Sequence, residues 1–224
     1  MTVSRSLPWL IAAAALAGGL GLYFGQRYFA PPPAATTSSM QGSPDIVTRA
    51  ALVYPQPRPL QAFSLDRADG STLTLADWRG HWSLVFIGFT HCPDACPQTL
   101  SVYRDVEKAW PQDAGPVPIL YFIAVDPERD TPKVLADYAG YFSPAIVAAT
   151  GTHDRLEAFT RELGMIYMKT PTASGDYTVD HSTHLAVIDP EGRMVALFRA
   201  PLDAGAIVDD LQALASAPAA TTSN

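Results

Sequence analysis

The residues best suited to chemistry in this chain are its two cysteines, Cys92 and Cys96, within the segment FTHCPDACP at residues 89–97. The thiolate form of cysteine is both a nucleophile and a metal ligand. Three intervening residues make a looser loop than a Cys-x-x-Cys motif, so the sulfurs can close on a metal ion or on each other. Two cysteines cannot brace a disulfide-rich fold, and 48% hydrophobic residues supply a large core, so the pair indicates a site.

Histidine could supply a third ligand to a soft ion held by two thiolates. Cu(I) prefers thiolates, and one imidazole completes a three-coordinate site. The segment VDHSTH at residues 179–184 is favoured, because it is a polar loop that leads directly into an apolar strand. Loops at neighbouring strand ends meet at one edge of an α/β sheet. Spacing alone does not choose among the five histidines, which are His81, His91, His153, His181 and His184.

The elements that must position the cysteines follow from apolar patterns. Residues 83–89 and 119–125 are continuous apolar runs, typical of central strands buried on both faces. A helical pattern follows Pro97. Because both cysteines precede prolines, which disfavours helical geometry, we expect Cys92 in a loop and Cys96 at the mouth of the helix. The N–H groups and dipole of a helix start favour a negatively charged thiolate there.

The rest of the region continues to alternate between strand and helix patterns. Further helices are predicted from Thr131 to about Tyr141, from Thr152 to about Gly164 and over residues 204–215, with a hairpin formed by residues 185–189 and 194–198. This alternation predicts a three-layer α/β domain with a mixed central sheet.

The two ends of the chain differ in composition from this region. Residues 7–25 hold no charged side chain and predict one N-terminal transmembrane helix. A cleavable signal peptide is the alternative, because the run is rich in alanine and follows a positively charged start. A stretch rich in Pro, Ser and Thr follows and predicts a flexible linker. The predicted organisation is a membrane anchor at residues 1–30, a linker at 31–53, the α/β domain at 54–216 and a disordered tail at 217–224.

The charge of the chain argues against nucleic-acid binding. The formal net charge is −7, and no run of Lys and Arg is present in the sequence. A nucleic-acid-binding protein needs a basic patch to contact phosphates. We therefore exclude that class of partner.

Several motifs together give the sequence a specific resemblance. They are GFTHCPDACP at residues 88–97, VDPERDTP at 125–132, YTVDHS at 177–182 and DPEG at 189–192. In this order and spacing the chain resembles the Sco (SenC) family of copper proteins, which serve cytochrome c oxidase assembly. The resemblance implies a thioredoxin-like fold and one copper ion bound by Cys92, Cys96 and His181. One departure is His184, where family members more often have an apolar residue.

The resemblance also implies a function and a location. It indicates a copper metallochaperone that delivers its ion to the dinuclear copper centre of a cytochrome oxidase subunit and works with other copper chaperones. It further implies a single-pass protein of the inner membrane with its domain on the periplasmic side. The resemblance thus favours a chaperone over an enzyme.

Two enzymatic alternatives use the same cysteines. A thiol–disulfide oxidoreductase could reduce the cysteines of the acceptor site, with Cys92 attacking a disulfide and Cys96 resolving the mixed disulfide. This function needs no histidine. A thiol peroxidase is less favoured, because no arginine adjoins the cysteine motif.

Charged residues near the motifs are expected to support the site. Asp126, Arg129 and Asp130 are predicted to hold their loop by ion pairing. Asp180 is predicted to accept a hydrogen bond from His181, the usual role of a carboxylate beside a ligating imidazole.

Overall fold

The computed structural model describes residues 47–173 and 175–217. Within these residues, strands and helices alternate as the sequence predicts. The strands are β1 (Ala51–Pro59), β2 (Ser64–Arg67), β3 (Thr72–Thr74), β4 (Ser83–Gly88), β5 (Ile119–Ala124), β6 (Val147–Thr150), β7 (Tyr167–Pro171), β8 (Tyr177–His181), β9 (Leu185–Ile188) and β10 (Arg193–Phe198). The helices are α1 (Ala95–Ala109), α2 (Pro132–Phe142), α3 (His153–Glu162) and α4 (Ala204–Ser216), with a short 3₁₀ helix at Leu75–Trp78.

Eight of the described strands form one mixed sheet in the order β1-β10-β9-β4-β5-β6-β2-β3. Strands β4, β5 and β6 are parallel to one another. Strand β9 is antiparallel to β4, and β10 and β1 continue antiparallel from it. The predicted mixed central sheet is confirmed, and β4, which precedes the cysteines, lies in its interior.

Alternate residues of β4 face opposite sides of the sheet, and each side is covered. Leu84 and Phe86 pack with core residues of α1, α2 and α4. Val85 and Ile87 pack on the other side with the 3₁₀ helix and α3. Because both faces are buried, the strand reads as a continuous apolar run and not as an alternating one. The predicted three-layer architecture is confirmed.

Helix α1 begins earlier than the proline argument predicts. Asp94 is its N-cap, and Ala95, Cys96 and Pro97 form its first turn. Proline is tolerated in a first turn, because N–H groups there have no partner inside the helix. Cys96 is therefore within the helix, while Cys92 lies in the loop before it, as expected.

The segment that carries His181 is also more regular than predicted. Residues 177–181 form strand β8, which pairs antiparallel with β7 in a two-stranded sheet. Residues 182–184 make the connection to β9. The polar composition of both strands suits a hairpin on the surface of the domain, and it hides their strand character from an apolar-pattern search.

The chain entering strand β1 is held by a buried carboxylate. Strand β1 begins at Ala51, three residues before the predicted boundary at residue 54. Asp210 of α4 is fully buried and accepts hydrogen bonds from the backbone N–H groups of Arg49, Ala50 and Ala51 at 2.7, 2.8 and 2.7 Å. These contacts hold the entering chain against the last helix.

The predicted transmembrane helix at residues 7–25 lies outside the described residues. Among residues 47–173 and 175–217, no helix has both the length and the apolar character required to cross a bilayer. The predicted anchor and the predicted disordered tail stay predictions.

Candidate metal centre

The loop after β4 presents the two cysteines differently. The backbone N–H of Cys92 donates to the carbonyl of Phe89 at 3.2 Å, which turns the chain sharply after the strand. The Cys92 sulfur accepts the backbone N–H of Cys96 at 3.4 Å and thus serves a donor of the first turn of α1. Cys96 is fully buried, Cys92 is half-buried, and both thiols are free. Cys92 is the sulfur that solvent and partners can reach.

Gly88, the last residue of β4, makes room for the Cys96 sulfur. A Cβ atom at position 88 would lie 2.5 Å from Cys96 Sγ and 2.9 Å from Cε2 of Phe122. Both distances are too short for real contacts. The backbone of β4 can approach the sulfur this closely only because residue 88 has no side chain.

His181 enters the site from the last position of β8. Its ring meets the rings of Phe86 and Phe89 edge-on, with centroids 5.7 and 5.9 Å away. Nδ1 lies 2.9 Å from the carbonyl oxygen of Ser182, which can only accept, so Nδ1 carries a hydrogen. Nε2 is thereby directed at Cys96 Sγ, 3.4 Å away. A backbone carbonyl beside a ring N–H is a usual support for a metal-binding imidazole.

The structure brings all three predicted ligands together. The sulfurs of Cys92 and Cys96 and a ring nitrogen of His181 lie within 4.8 Å of one another. Typical bond lengths are about 2.3 Å from metal to sulfur and about 2.0 Å from metal to imidazole nitrogen, so the 3.4 Å between Cys96 and His181 fits one shared ion. In the described part of the chain this is the one cluster of three or more Cys, His, Asp and Glu ligands with such spacing.

Three of the other histidines make contacts away from this cluster. His81 is 3.2 Å from the hydroxyl of Tyr121, and His153 is 2.9 Å from a carboxylate oxygen of Glu128. His91 is exposed, and its ring contacts Thr90 at 3.1 Å although it adjoins Cys92 in the chain. The choice of His181, which spacing could not make, follows from the fold.

The predicted partner of His181 is wrong. Asp180 accepts a hydrogen bond from the hydroxyl of Thr170 at 2.5 Å instead of bonding to the imidazole. Adjacent residues of a strand point to opposite faces, so the neighbour of a ligand in a strand faces away from the site. The Ser182 carbonyl takes the role that the sequence assigned to Asp180.

The two thiols have pKa values shifted in opposite directions. The pKa of Cys92 is lowered to about 3, chiefly by a hydrogen bond from the Cys96 thiol, with further contributions from the backbone N–H groups of Cys96 and Asp94. The pKa of Cys96 is raised, first by the same bond to Cys92 and then by burial. The metal-free pair therefore holds one thiolate and one thiol at neutral pH, and a metal ion would replace the remaining proton.

The motif VDPERDTP at residues 125–132 supports the site through contacts that the sequence partly predicts. Asp126 and Arg129 form an ion pair within the loop after β5. Asp130 accepts hydrogen bonds from Thr90, beside the cysteine loop. The supporting roles of Thr90 and Tyr177 are not visible in the sequence, because neither residue type signals a contact 40 or more positions away.

The chain forms a three-layer α/β domain, and its two sulfurs and one imidazole meet near the carboxyl end of β4. This combination defines a class of proteins that bind soft metals or exchange thiols. The SCO1/SenC family model matches residues 54–216. The chain belongs to the SCO1/SenC family, and its described fold is the thioredoxin-like fold of that family.

Individual relatives agree with this membership. The chain is 34% identical over 147 residues to mitochondrial SCO1 homolog 1 of Arabidopsis thaliana, covering 66% of this chain and 44% of that protein. ScoI of Bradyrhizobium japonicum, solved with copper bound, is 32% identical with a TM-score of 0.62 and coverage of 69% of this chain and 98% of that one. The solution structure of apo Sco1 from Thermus thermophilus is 32% identical, with a TM-score of 0.65 and coverage of 73% and 95%. The chain spans about half the length of its mitochondrial relatives from Arabidopsis, mouse and human.

Proposed function

We propose that this chain is a copper chaperone that binds one copper ion through Cys92, Cys96 and His181 and delivers it to the dinuclear copper centre of a cytochrome oxidase. The observation that carries the proposal is the meeting of three ligand atoms within 4.8 Å, contributed by a loop, a helix and a hairpin. Copper is bound in solved relatives of the same family that are about 30% identical to this chain.

The ligand set fits copper better than it fits a structural zinc ion. Two thiolates and one imidazole suit the soft Cu(I) ion, which accepts three ligands. Structural zinc sites usually have four protein ligands. Among the described residues the cluster has three, so it fits copper better than structural zinc.

The difference in exposure between the cysteines suits transfer of the ion. A ligand of the acceptor can approach on the side of Cys92, which is half-buried, while Cys96 is enclosed by the core. We propose that the incoming ligand displaces Cys92 first and that Cys96 and His181 release the ion afterwards. Copper changes ligands in this exchange and keeps its oxidation state.

Location and partners are part of the same proposal. Residues 7–25 would anchor the chain in the inner membrane by a single span, with the domain in the periplasm, where the copper centre of an oxidase subunit is accessible. Other copper chaperones would supply the ion. When spheroplasts are treated with protease, we expect the domain to be digested and the intact inner membrane to retain the N-terminal segment. A domain that is protected from the protease contradicts this placement.

The experiment that tests the function is direct copper transfer. The Cu(I)-loaded full chain is mixed with the metal-free copper-binding domain of an oxidase subunit, the two are separated, and copper is measured in each. We expect copper to move to the acceptor from the wild-type chain. The Tyr103→Phe variant, altered in the core of α1 away from the site, is the control and should transfer copper equally. Retention of all copper by the donor at excess acceptor would refute delivery.

A second function is favoured by the state of the cysteines. Both thiols are free, and the accessible one has its pKa lowered to about 3. The Cys92 thiolate could attack a partner disulfide, forming a mixed disulfide and releasing one partner thiolate. Cys96, after losing its proton, would then attack the Cys92 sulfur and release the second thiolate. The partner gains two electrons, and this chain ends with a Cys92–Cys96 disulfide.

His181→Ala separates the two functions. Thiol–disulfide exchange uses the sulfurs alone, so a reductase should still reduce the disulfide of an oxidised acceptor after this substitution. A copper chaperone should lose copper affinity. Disulfide reduction at the wild-type rate by metal-free His181→Ala, together with unchanged copper affinity, would favour the reductase over the chaperone.

A further inference from the structure

We propose that the turn at residues 126–130, here called the bracket turn, sets the distance between the cysteine loop and the histidine hairpin and so fixes the geometry of the metal centre. This inference rests on the proposed copper site. The hairpin is the sheet formed by β7 and β8, and the cysteine loop is residues 89–94. Each is tied to the bracket turn by a different buried carboxylate.

Asp130 ties the bracket turn to the cysteine loop. Its carboxylate is fully buried and accepts the hydroxyl of Thr90 at 2.5 Å and the backbone N–H of Thr90 at 3.1 Å. Thr90 is two residues before Cys92 and directly follows Phe89, the loop residue whose carbonyl accepts the Cys92 N–H. A shift of Asp130 would therefore move the loop that presents the sulfur.

Asp126 ties the same turn to the histidine hairpin. It is fully buried, and one carboxylate oxygen accepts the hydroxyl of Tyr177 at 2.8 Å while the other accepts Nε of Arg129. Arg129 reaches the hairpin as well, donating from Nη1 to the Tyr177 carbonyl at 3.1 Å, with its guanidinium 3.9 Å from the centre of the Tyr177 ring. Tyr177 begins the strand that ends at His181.

The bracket turn itself is closed by its own backbone. The N–H groups of Arg129 and Asp130 both donate to the carbonyl of Asp126, at 3.1 and 2.9 Å. The two carboxylates therefore hold a fixed relation to each other. Buried carboxylates are costly unless they are fully paired, and the hydrogen bonds that pair them here lead to the two halves of the metal site.

A bracket is needed because the hairpin is not part of the main sheet. Strands β7 and β8 pair with each other, and in the described part of the chain they share no ladder with the eight-stranded sheet that carries the cysteine loop. Apart from the three-residue connection to β9, side-chain contacts therefore place His181 relative to the sulfurs. The bracket turn offers hydrogen bonds to both sides.

The test is a double-mutant cycle on copper affinity in the full chain. Tyr177→Phe removes the hydroxyl bonded to Asp126 and keeps the ring, and it is combined with His181→Ala. We expect Tyr177→Phe to lower Cu(I) affinity about tenfold in the wild type, as loss of a group supporting a ligand typically does. In the His181→Ala background it should have no further effect, because it acts through the histidine.

Two further variants serve as controls. Thr90→Val acts on the cysteine side, so it should lower copper affinity in both backgrounds, and Thr90→Ser should restore the wild-type value because it keeps the hydroxyl. Tyr103→Phe removes a hydroxyl that donates to the Pro118 carbonyl at 3.1 Å in the core and should leave affinity unchanged.

The outcomes distinguish an error in the proposed copper site from an error in the role of the bracket turn. If His181→Ala alone leaves copper affinity unchanged, the proposed copper site is wrong. If His181→Ala weakens binding while Tyr177→Phe binds like the wild type, or weakens binding equally in both backgrounds, the bracket turn does not position the histidine. Should Tyr177→Phe fail to fold, the Thr90→Val and Thr90→Ser pair decides: equal affinity in these two variants overturns the proposal.

Discussion

At the scale of single residues, the two cysteines have opposite properties although three positions separate them. Cys92 is half-buried and accepts an N–H of a helix start, whereas Cys96 is enclosed by the core. The first environment stabilises a thiolate, and the second stabilises a thiol. The pair therefore presents the reactive Cys92 sulfur to partners, while the Cys96 sulfur stays protonated and enclosed.

This asymmetry predicts how alkylation of the metal-free chain depends on pH. Because the pKa of Cys92 is lowered to about 3, its thiolate is already fully formed between pH 5 and 8. The rate of modification by iodoacetamide should therefore be nearly constant over that range, whereas an ordinary thiol reacts about tenfold faster for each unit of pH. In Cys96→Ala the main cause of the lowered pKa is gone, so the Cys92 rate should rise with pH. A wild-type rate that rises as for a free thiol contradicts the assignment.

Gly88 gives a second prediction at this scale. In Gly88→Ala the new methyl group would meet Cys96 Sγ at 2.5 Å, so the sulfur must move. We expect weaker copper binding and a loss of about 1–3 kcal/mol of unfolding free energy, measured by urea titration.

The matched control for this change is Gly140→Ala. Gly140 lies in α2, and a Cβ there would meet no atom within 4 Å apart from the adjacent residues and backbone of its own helix. Alanine in a helix interior is better than glycine by about 0.5–1 kcal/mol, so stability should rise and copper binding should stay the same. Equal effects of the two substitutions would show that close packing at Gly88 is unimportant.

At the scale of elements, the parts that sequence analysis predicted are those with long apolar patterns. Strands β4 and β5 and all four described helices were predicted close to their observed bounds, because each buries a continuous or periodic set of side chains. Strands β7 and β8 were missed, since residues such as Lys169, Thr170 and Asp180 are typical of loops. Their pairing depends on contacts between distant segments, which a single sequence does not display.

The link between β1 and α4 yields the prediction at this scale. Asp210→Asn leaves an amide facing three backbone N–H groups, so at least one donor loses its acceptor. We expect a loss of about 2–3 kcal/mol of unfolding free energy, because these bonds are to a buried charged group. Copper affinity should not change, since two strands, β10 and β9, separate β1 from β4 in the order of the sheet.

Asp209→Asn is the matched control. Asp209 is the neighbouring residue, exposed, and paired with Arg49 at the surface. Exposed ion pairs contribute about 0–1 kcal/mol, so little change is expected. Equal losses in the two variants would contradict the role assigned to Asp210.

At the scale of the whole molecule, the metal centre joins parts that the chain supplies far apart. The cysteine loop follows the interior strand β4, and the histidine comes from a hairpin 85 positions later. The resemblance to the Sco family implied which residues meet, and the fold places His181, and not another described histidine, beside both sulfurs. The contacts of the bracket turn to Thr90 and Tyr177 and the packing at Gly88 could not be predicted, because they depend on distances between segments that lie far apart in the sequence.

Copper should therefore stabilise the entire domain. An ion that binds the folded state alone adds about 2.7 kcal/mol when its free concentration is a hundredfold above the dissociation constant. Thermal unfolding of the reduced full chain with and without buffered Cu(I) measures this effect. In Cys92→Ser the stabilisation should largely disappear at the same free copper. Equal stabilisation of both proteins would place the bound ion elsewhere.

The most direct measurement of the central claim is X-ray absorption of the reduced full chain loaded with Cu(I), together with its copper stoichiometry. We predict one copper per chain, bound by two sulfurs and one imidazole nitrogen, and loss of the nitrogen in His181→Ala. A spectrum without a nitrogen ligand, or one that His181→Ala leaves unchanged, would contradict the account.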